Sequence, residues 1–521
     1  MQAEQGMNRN STGWVLSLRL VKPSLSDNTA DADRLKKAIE AETGCPVKIG
    51  IGLVRKLPRA LRDWDFCLKC VVMISGGVCE LVDILPPGHR DPIAGLAIDL
   101  GTTRVAFRLI CLESGRTLAE SGIDNPQVSV SPDILGRVHY SDTENGLSNL
   151  HRLIIDGINR EISHLCNRAG ISPDRVFLAV VSGNTTMAHL FSNVPCTHII
   201  REPYIPAFNA PGAFMACDLG LGLRDSAHVY IVPSVGSYFG GDLISGAVLA
   251  GFQDMEDIAI LVDVGTNAEV LLGNRDWLVA CAGAAGPALE GGMSSIGMTA
   301  APGVIDAVAI DPDTRKMEIH TIGGEPATGI CGSGMIDLAA QLFISGMIDI
   351  RGRIVREACG GRWIEKDGTC GIVVVPEGES ATGSPLVISQ VDIDSLIRSK
   401  AAMYTILETL TAWVGIGFNE IQTFFVAGTF GSYIRPESAI AIGMLPDLPK
   451  ERFSVLGNSS LGGAALMLQS QKAVEDAEKI RDRITYIELN VNQDFMNRFS
   501  AARFLPHTDT SRFPSVEWSR K

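Results

Sequence analysis

No stretch of this chain is apolar for long enough to span a bilayer. A membrane helix needs about 18 or more consecutive apolar residues, whereas the runs here are short: FLAVV (177–181), IAILVDV (258–264) and FFVA (424–427). A basic excess is missing too. The 45 Lys and Arg stand against 59 Asp and Glu, a net charge of −14, which disfavours nucleic acid and anionic membrane as main partners. The twelve cysteines are scattered and form no compact disulfide framework; reduced thiols in a cytoplasmic protein are the expectation. The first 25 residues lack a basic start followed by an apolar segment, so no secretory signal is read. His89, His139, His151, His164, His189 and His507 show no paired metal-ligand spacing, and none is assigned to zinc.

What is present is a large apolar fraction, 46% of 521 residues, with a mean hydropathy of +0.18. Short apolar runs bounded by glycine or polar turns fit central strands covered on both faces, hence α/β architecture. The length suggests two to four domains.

A small α+β domain is expected at 12–92. WVLSLRLV (14–21) reads as a strand, DADRLKKAIEAETG (31–44) as a helix stopped by Gly44, KIGIGLV (48–54) as a strand and PRALRDW (58–64) as a short helix. FCLKCVVMIS and VCELVDIL form a hairpin about Gly76-Gly77, and PPGHRDP (86–92) is a linker. A middle domain, 94–252, opens with GLAIDLGTTRVAF (95–107) as part of a β-meander. A long helix at about 143–169, the strand VFLAVV and a helix from about 185 follow. A C-terminal domain, 255–510, begins the same way, since ILVDVGTNAEVLLG (260–273) repeats the grammar of LAIDLGTTRVAFRL. Asp99 and Asp263 lie 164 positions apart, a spacing of fold duplication rather than solenoid stacking. Helices at 333–347 and 392–414, the strand TFFVAG and a last helix from about 460 are expected to fill this second unit. Two such lobes are expected to face each other across a ligand cleft.

An acid at the end of a buried strand is either a satisfied turn residue or a group aimed at a phosphate-bound metal. A tight glycine turn brings backbone N–H groups close to a phosphate, and the hydroxyls of Thr102, Thr103 and Thr266 can donate to its oxygens. Asp99 and Asp263 could hold Mg²⁺ through water. Two copies of Asp-x-Gly-Thr carry more than one, because Asp, Gly and Thr are ordinary turn residues. FFVAGTFGSYIRPESA (424–439) reads as a buried strand, a glycine loop and a helix with Pro436 near its start; it is a nucleotide loop or a plain strand–helix turn. GNTTM (183–187) either lines the site, with Asn184 positioning water, or caps a helix. GICGSG (329–334) either offers helix N–H groups to phosphate or is a tight strand–helix joint. Glu269 and Glu290 either orient water or metal, or are structural.

IDLGTT, VDVGTN and VAGTFG, in this order, resemble the phosphate-1, phosphate-2 and adenosine motifs of the acetate and sugar kinase, heat-shock-70 and actin superfamily. More narrowly the chain resembles the ATP-dependent reductive activators of corrinoid proteins. DNPQV, VSGNTTMAHL, CAGAAGPALEGG, GICGSGMIDL, AGTFGSYIRPESAIAIGMLP, GNSSLGGAA and FLPHTD carry that likeness. The resemblance implies duplicated actin-like, ribonuclease-H-like ATPase lobes preceded by a small linker domain. It implies ATP contacts at Gly101, Thr102 and Thr103, at Gly265, Thr266 and Asn267, at Gly332, Ser333 and Gly334, and at Gly428, Thr429 and Gly431. Asp99, Asp263, Asn184 and Glu269 are the catalytic candidates, with Asp99 and Asp263 on Mg²⁺. The chain departs from the pattern at Thr429, where the family has glycine, at Arg104 and at VSPD (130–133).

Most such activators carry a plant-type ferredoxin domain with Cys-x4-Cys-x2-Cys for a [2Fe–2S] cluster. No such run occurs here, and no iron–sulfur cluster is expected. Cys67 and Cys70 fall an odd number apart in a strand, on opposite faces, and read as buried small hydrophobes. The function implied is ATP-dependent reduction of a corrinoid protein of a methyltransferase system from Co(II) to Co(I). A separate ferredoxin-like protein would supply electrons, and the activator would be a cytoplasmic homodimer. A small-molecule kinase of the same superfamily and a non-catalytic, nucleotide-switched corrinoid-binding factor are the alternatives.

Overall fold

The computed structural model describes residues 13–237, 239–264, 267–284, 294–366, 368–428, 434–487 and 493–517. The backbone divides into two compact units: Met1–Gln253 with Ser459–Ile484, and Asp254–Asn458 with Thr485–Lys521. Among the described residues no helix is long and apolar enough to cross a membrane.

The first unit opens with β1 (Val15–Arg19), β2 (Val47–Ile49), β3 (Cys67–Ser75) and β4 (Val78–Leu85), ordered β1-β3-β4-β2. The helix α1 (Asp31–Thr43) stops at Gly44, as its left-handed φ of 70° requires. The strand expected over 48–54 ends instead at Ile49, and a helix α2 (Ile51–Asp63) takes over. Leu53, Leu57 and Leu61 are its buried residues, a stripe at helical spacing. Pro58 lies inside this helix, not at its start. Cys67 and Cys70 both sit in β3, and burial pushes the Cys70 thiol far up, keeping it neutral.

A six-stranded sheet follows: β5 (Ala94–Leu100), β6 (Arg104–Cys111), β7 (Thr117–Asp124), β8 (Val176–Ser182), β9 (Ala213–Met215) and β10 (His228–Ile231), ordered β7-β6-β5-β8-β10-β9. β5, β6 and β7 form an antiparallel meander, whereas β8 runs parallel to β5 and β10 parallel to β8. Its helices are α3 (Ile134–Ser141), α4 (Gly146–Ala169), α5 (Thr185–Phe191) and α6 (Gly241–Ala250).

The second unit contains β11 (Ala259–Val264), β12 (Asn267–Gly273), β13 (Leu278–Ala284), β14 (Val304–Ile310), β15 (Met317–Thr321), β16 (Gly329–Ile330), β17 (Trp363–Lys366), β18 (Thr369–Val375), β19 (Leu386–Ser389), β20 (Thr423–Ala427), β21 (Phe453–Gly457) and β22 (Ile484–Ile487). Its helices include α7 (Gly332–Ile344), α8 (Arg356–Cys359) and α9 (Gln390–Val414). The main sheet runs β21-β20-β11-β12-β13-β22. Here too the first three strands are an antiparallel meander and the next two are parallel. The sequence echo is therefore a topological repeat: β11, β12, β13, β20 and β21 take the places of β5, β6, β7, β8 and β10.

The two faces of β5 explain its sequence. Leu96, Ile98 and Leu100 join Ile154 and Ile158 of α4 in one apolar cluster. The alternate residues Gly95, Ala97 and Asp99 point the other way, toward the helix Ser459–Gln469. A Cβ on Gly95 would lie 2.9 Å from a Leu468 methyl, so small residues here let that helix approach. The helix expected from about 460 thus exists but packs in the first unit, not the second. It also crosses α6 closely: a Cβ on Gly463 would fall 2.0 Å from the carbonyl oxygen of Ser245. Trp14, fully buried, donates from Nε1 to the Met467 carbonyl at 3.0 Å.

Gly463→Ala should force the two helices apart and lower stability by about 1–3 kcal/mol, the range for overpacking. A urea midpoint unchanged from wild type would contradict this close crossing.

Candidate functional site

Asp99 is the penultimate residue of β5, paired with Ala106 on β6 and Ser182 on β8. Its Oδ1 accepts a hydrogen bond from the Ser460 hydroxyl at 2.7 Å. Ser460 and Ser182 lie 3.0 Å apart, and Ser182 and Ser245 2.8 Å, so a buried hydroxyl chain fixes the carboxylate's direction. The neighbouring turn is fixed on its carbonyl side. Asn125 donates from Nδ2 to Gly101 O at 2.9 Å and from its backbone N–H to Thr103 O at 2.8 Å. Arg137 donates from Nη2 to Thr102 O at 2.7 Å. In a trans peptide the N–H opposes the preceding carbonyl, so the N–H groups of Thr102 and Thr103 point away from these donors.

Asn184 does two jobs. Its Oδ1 accepts from Met187 N at 2.9 Å, capping α5, and its Nδ2 donates to Thr102 Oγ1 at 3.2 Å. The two readings of GNTTM are therefore compatible in one side chain. Farther along α5, buried His189 holds Thr185 O with Nδ1 at 2.7 Å. Its Nε2 accepts from the N–H groups of Ala207 and Phe208 at 3.1 and 3.4 Å. Amides only donate, so Nε2 carries no proton and the imidazole is neutral. Burial holds its pKa below the ordinary value, against the pull of the Thr185 carbonyl.

In the second unit Asp263 sits at the matching place in β11 and lies directly opposite Glu269 on β12. Cross-strand partners share a face, so these two candidates are brought together. Val262 and Val270, their neighbours, face the apolar core. Gly265 and Thr266, with Glu290, Thr429 and Gly431, lie outside the described residues. Asn267 opens β12. Gly428 follows β20 with a φ of 86°, a conformation that suits glycine; it occupies the place that Gly183 holds after β8.

Gly332, Ser333 and Gly334 form the first turn of α7. The Ser333 hydroxyl lies 3.1 Å from Cys331 Sγ, and a Cβ on Gly334 would meet the Ile305 carbonyl oxygen at 2.4 Å. These two are packed into a strand–helix joint. Asp337, one turn on and buried, takes Val308 N and Arg435 Nη1 on Oδ2 at 2.7 and 3.2 Å, and Ser438 Oγ on Oδ1 at 2.5 Å. It ties α7 to the helix Pro436–Ala441.

Sequence reasoning missed Asn125, Arg137, Ser460 and Asp337 as parts of the site. Asn125 could have been flagged by its Asn-Pro turn, and Asp337 as an acid in an apolar helix. Arg137 and Ser460 carry no local signal, because their partners lie 35 and 361 residues away. Among the described residues no group of three or more His, Cys, Asp or Glu could hold a metal directly. Asp263 and Glu269, paired across β11 and β12, are oxygen donors of the type that suits a hard cation keeping its waters.

A duplicated meander-plus-parallel sheet, with an aspartate as the penultimate residue of the first strand of each copy, defines the ASKHA class, which takes in acetate and sugar kinases, heat-shock-70 proteins and actin. The chain belongs to the RACo family. The RACo linker region matches residues 2–91, the RACo middle region 94–255, and the C-terminal ASKHA domain of RACo 257–517. The chain is 29% identical over 437 residues to corrinoid activation enzyme RamQ of Eubacterium limosum, covering 82% of this chain and 73% of that protein. Against the [Co(II) methylated amine-specific corrinoid protein] reductase of Methanosarcina barkeri it is 24% identical over 436 residues, 77% and 75% of the two. Among solved structures, a reductive activator for corrinoid, iron–sulfur protein matches with a TM-score of 0.86 and 38% identity over 96% of this chain and 80% of that one.

The neutral state of His189 has a consequence for stability. Because its folded pKa lies below the ordinary 6.5, the unfolded chain takes up the proton first as pH falls. The contribution is intact above about pH 6.5 and shrinks below it. His89 and His507 shift the same way, so the comparison must be with a variant. Between about pH 7.5 and 5.5 the melting midpoint should fall more steeply in wild type than in His189→Gln; equal slopes would contradict this.

Proposed function

We propose that this chain is an ATP-dependent reductive activator that returns a corrinoid protein from Co(II) to Co(I), with electrons supplied by a separate, ferredoxin-like protein. The observation that carries the reading is the repeated strand-end aspartate on two topologically equivalent strand pairs, in a chain whose relatives are named for corrinoid activation or reduction. The corrinoid protein is thus the substrate and ATP the driving ligand. The activator works in the cytoplasm as a homodimer.

Each residue has a task. The N–H groups of Thr102 and Thr103, with the two threonine hydroxyls, bind phosphate oxygens. Asn184 holds the Thr102 hydroxyl in place and orients the attacking water. Ser460 fixes the plane of Asp99. Asp99 in the first unit and Asp263 in the second are the carboxylates that would hold Mg²⁺ through water, with Glu269 opposite Asp263. That ion offsets the charge of the phosphate chain.

Energy coupling is needed because Co(I) is a strong reductant. For one electron about 59 mV is a tenfold change in equilibrium, or about 1.4 kcal/mol. A partner that favours the Co(I) form by about 3 kcal/mol would raise the effective potential by roughly 130 mV. ATP hydrolysis then resets the complex.

ATP turnover should rise when Co(II) corrinoid protein is added. Asp99→Asn should cut that turnover by about 100-fold or more while leaving the circular dichroism spectrum unchanged, since an amide oxygen can still accept from Ser460. Retained turnover would make Asp99 a structural turn residue.

A further inference from the structure

Arg137 is a cation where few are found. It lies on α3 with no exposed surface, and among the described residues no carboxylate stands within ion-pair distance of it. Its partners are neutral: Ser131 O for Nε at 2.9 Å, Gln127 Oε1 and Met187 Sδ for Nη1, both at 3.3 Å, and Thr102 O for Nη2. Asp133, which acts on it through space, engages Gly136 N–H at 2.8 Å and the Ser131 hydroxyl at 3.2 Å. Burial lowers the Arg137 pKa to about 10, so the guanidinium stays charged at neutral pH.

A buried charge with no carboxylate in ion-pair contact is destabilising unless something offsets it. Neutral hydrogen bonds satisfy its N–H groups but do not cancel its field. The turn that Arg137 holds by the Thr102 carbonyl presents the Thr103 N–H on the opposite side of the same peptide. A cation at one end of a hydrogen-bonded peptide polarises it and strengthens the donor at the other end.

We propose that Arg137 is a positioning residue whose buried positive charge tunes the 101–103 turn for the phosphate chain of ATP. The proposal rests on reading that turn as an ATP site. Arg137 touches no nucleotide; it acts through the Thr102–Thr103 peptide and through its field.

Two variants neutralise the charge by different routes. Arg137→Gln removes it. Gln127→Glu leaves Arg137 in place and gives it a carboxylate in ion-pair reach through the Gln127 oxygen it already contacts; it also removes the Nε2 donation to the Leu150 carbonyl at 3.0 Å, so its adenosine affinity serves as the check on shape. Titration calorimetry with ATP and with adenosine separates charge from shape. Each variant should weaken ATP about tenfold and leave adenosine within about twofold, because field strength matters only to the charged ligand. Arg137→Lys should restore most of the ATP affinity. Unchanged ATP affinity in both neutralising variants would overturn the proposal, as would an equal loss for adenosine, or an Arg137→Lys as weak as Arg137→Gln. Should Arg137→Gln fail to fold, Gln127→Glu decides alone. A wild-type protein that does not bind ATP would refute the nucleotide reading itself, a result distinct from these.

Discussion

Three consecutive carbonyl oxygens, those of Gly101, Thr102 and Thr103, are all taken up by buried donors from Asn125 and Arg137. That constraint settles which way the peptides of the turn face, and the rest of the site is arranged around it. β5 delivers the turn at the end of an apolar strand. The segment after β7 supplies Asn125, and α3 supplies Arg137, itself held through Gln127 and Ser131. Asn184 then locks the Thr102 hydroxyl from the start of α5. Backbone N–H groups are left facing outward because nothing on the inner side can turn them. Such a turn would need no reorganisation for the phosphate role proposed for it, which is what preorganised electrostatics requires.

The second unit solves a similar problem with the opposite charge. There buried Asp337 gathers a backbone N–H, a serine hydroxyl and an arginine, joining α7 to the helix Pro436–Ala441. In each unit a buried ion rich in hydrogen bonds, Arg137 in one and Asp337 in the other, anchors a segment that local propensity alone would leave loose. Buried ions are weak sources of stability but strong fixers of geometry, and both are placed where geometry matters.

The short apolar run ending in Asp99 and its echo at 260–273 made the duplicated sheet legible from sequence, and with it the pair Asp99 and Asp263. Gly44 and Gly76-Gly77 marked their turns for the same reason, since their backbone conformations suit glycine. α2 was misplaced because a proline was read as a helix start, although the leucine stripe already ran through it. The helix Ser459–Gln469 was found but assigned to the wrong unit: nothing in GNSSLGGAA says that its glycines meet α6 or that Ser460 reaches Asp99. Those partners are separated by hundreds of residues, and chain topology alone brings them together. The holders of the turn were invisible for the same reason, while the turn itself was not.

The reductive step is where the account is most exposed. A family placement, a duplicated strand-end aspartate and named relatives support the proposal of cobalt reduction, and the cobalt reports its own state by absorbance. The decisive measurement follows the Co(I) band of a Co(II) corrinoid protein mixed with this protein, ATP, Mg²⁺ and a reduced electron donor. Co(I) should accumulate only when both this protein and ATP are present. Equal accumulation without either one would contradict the account.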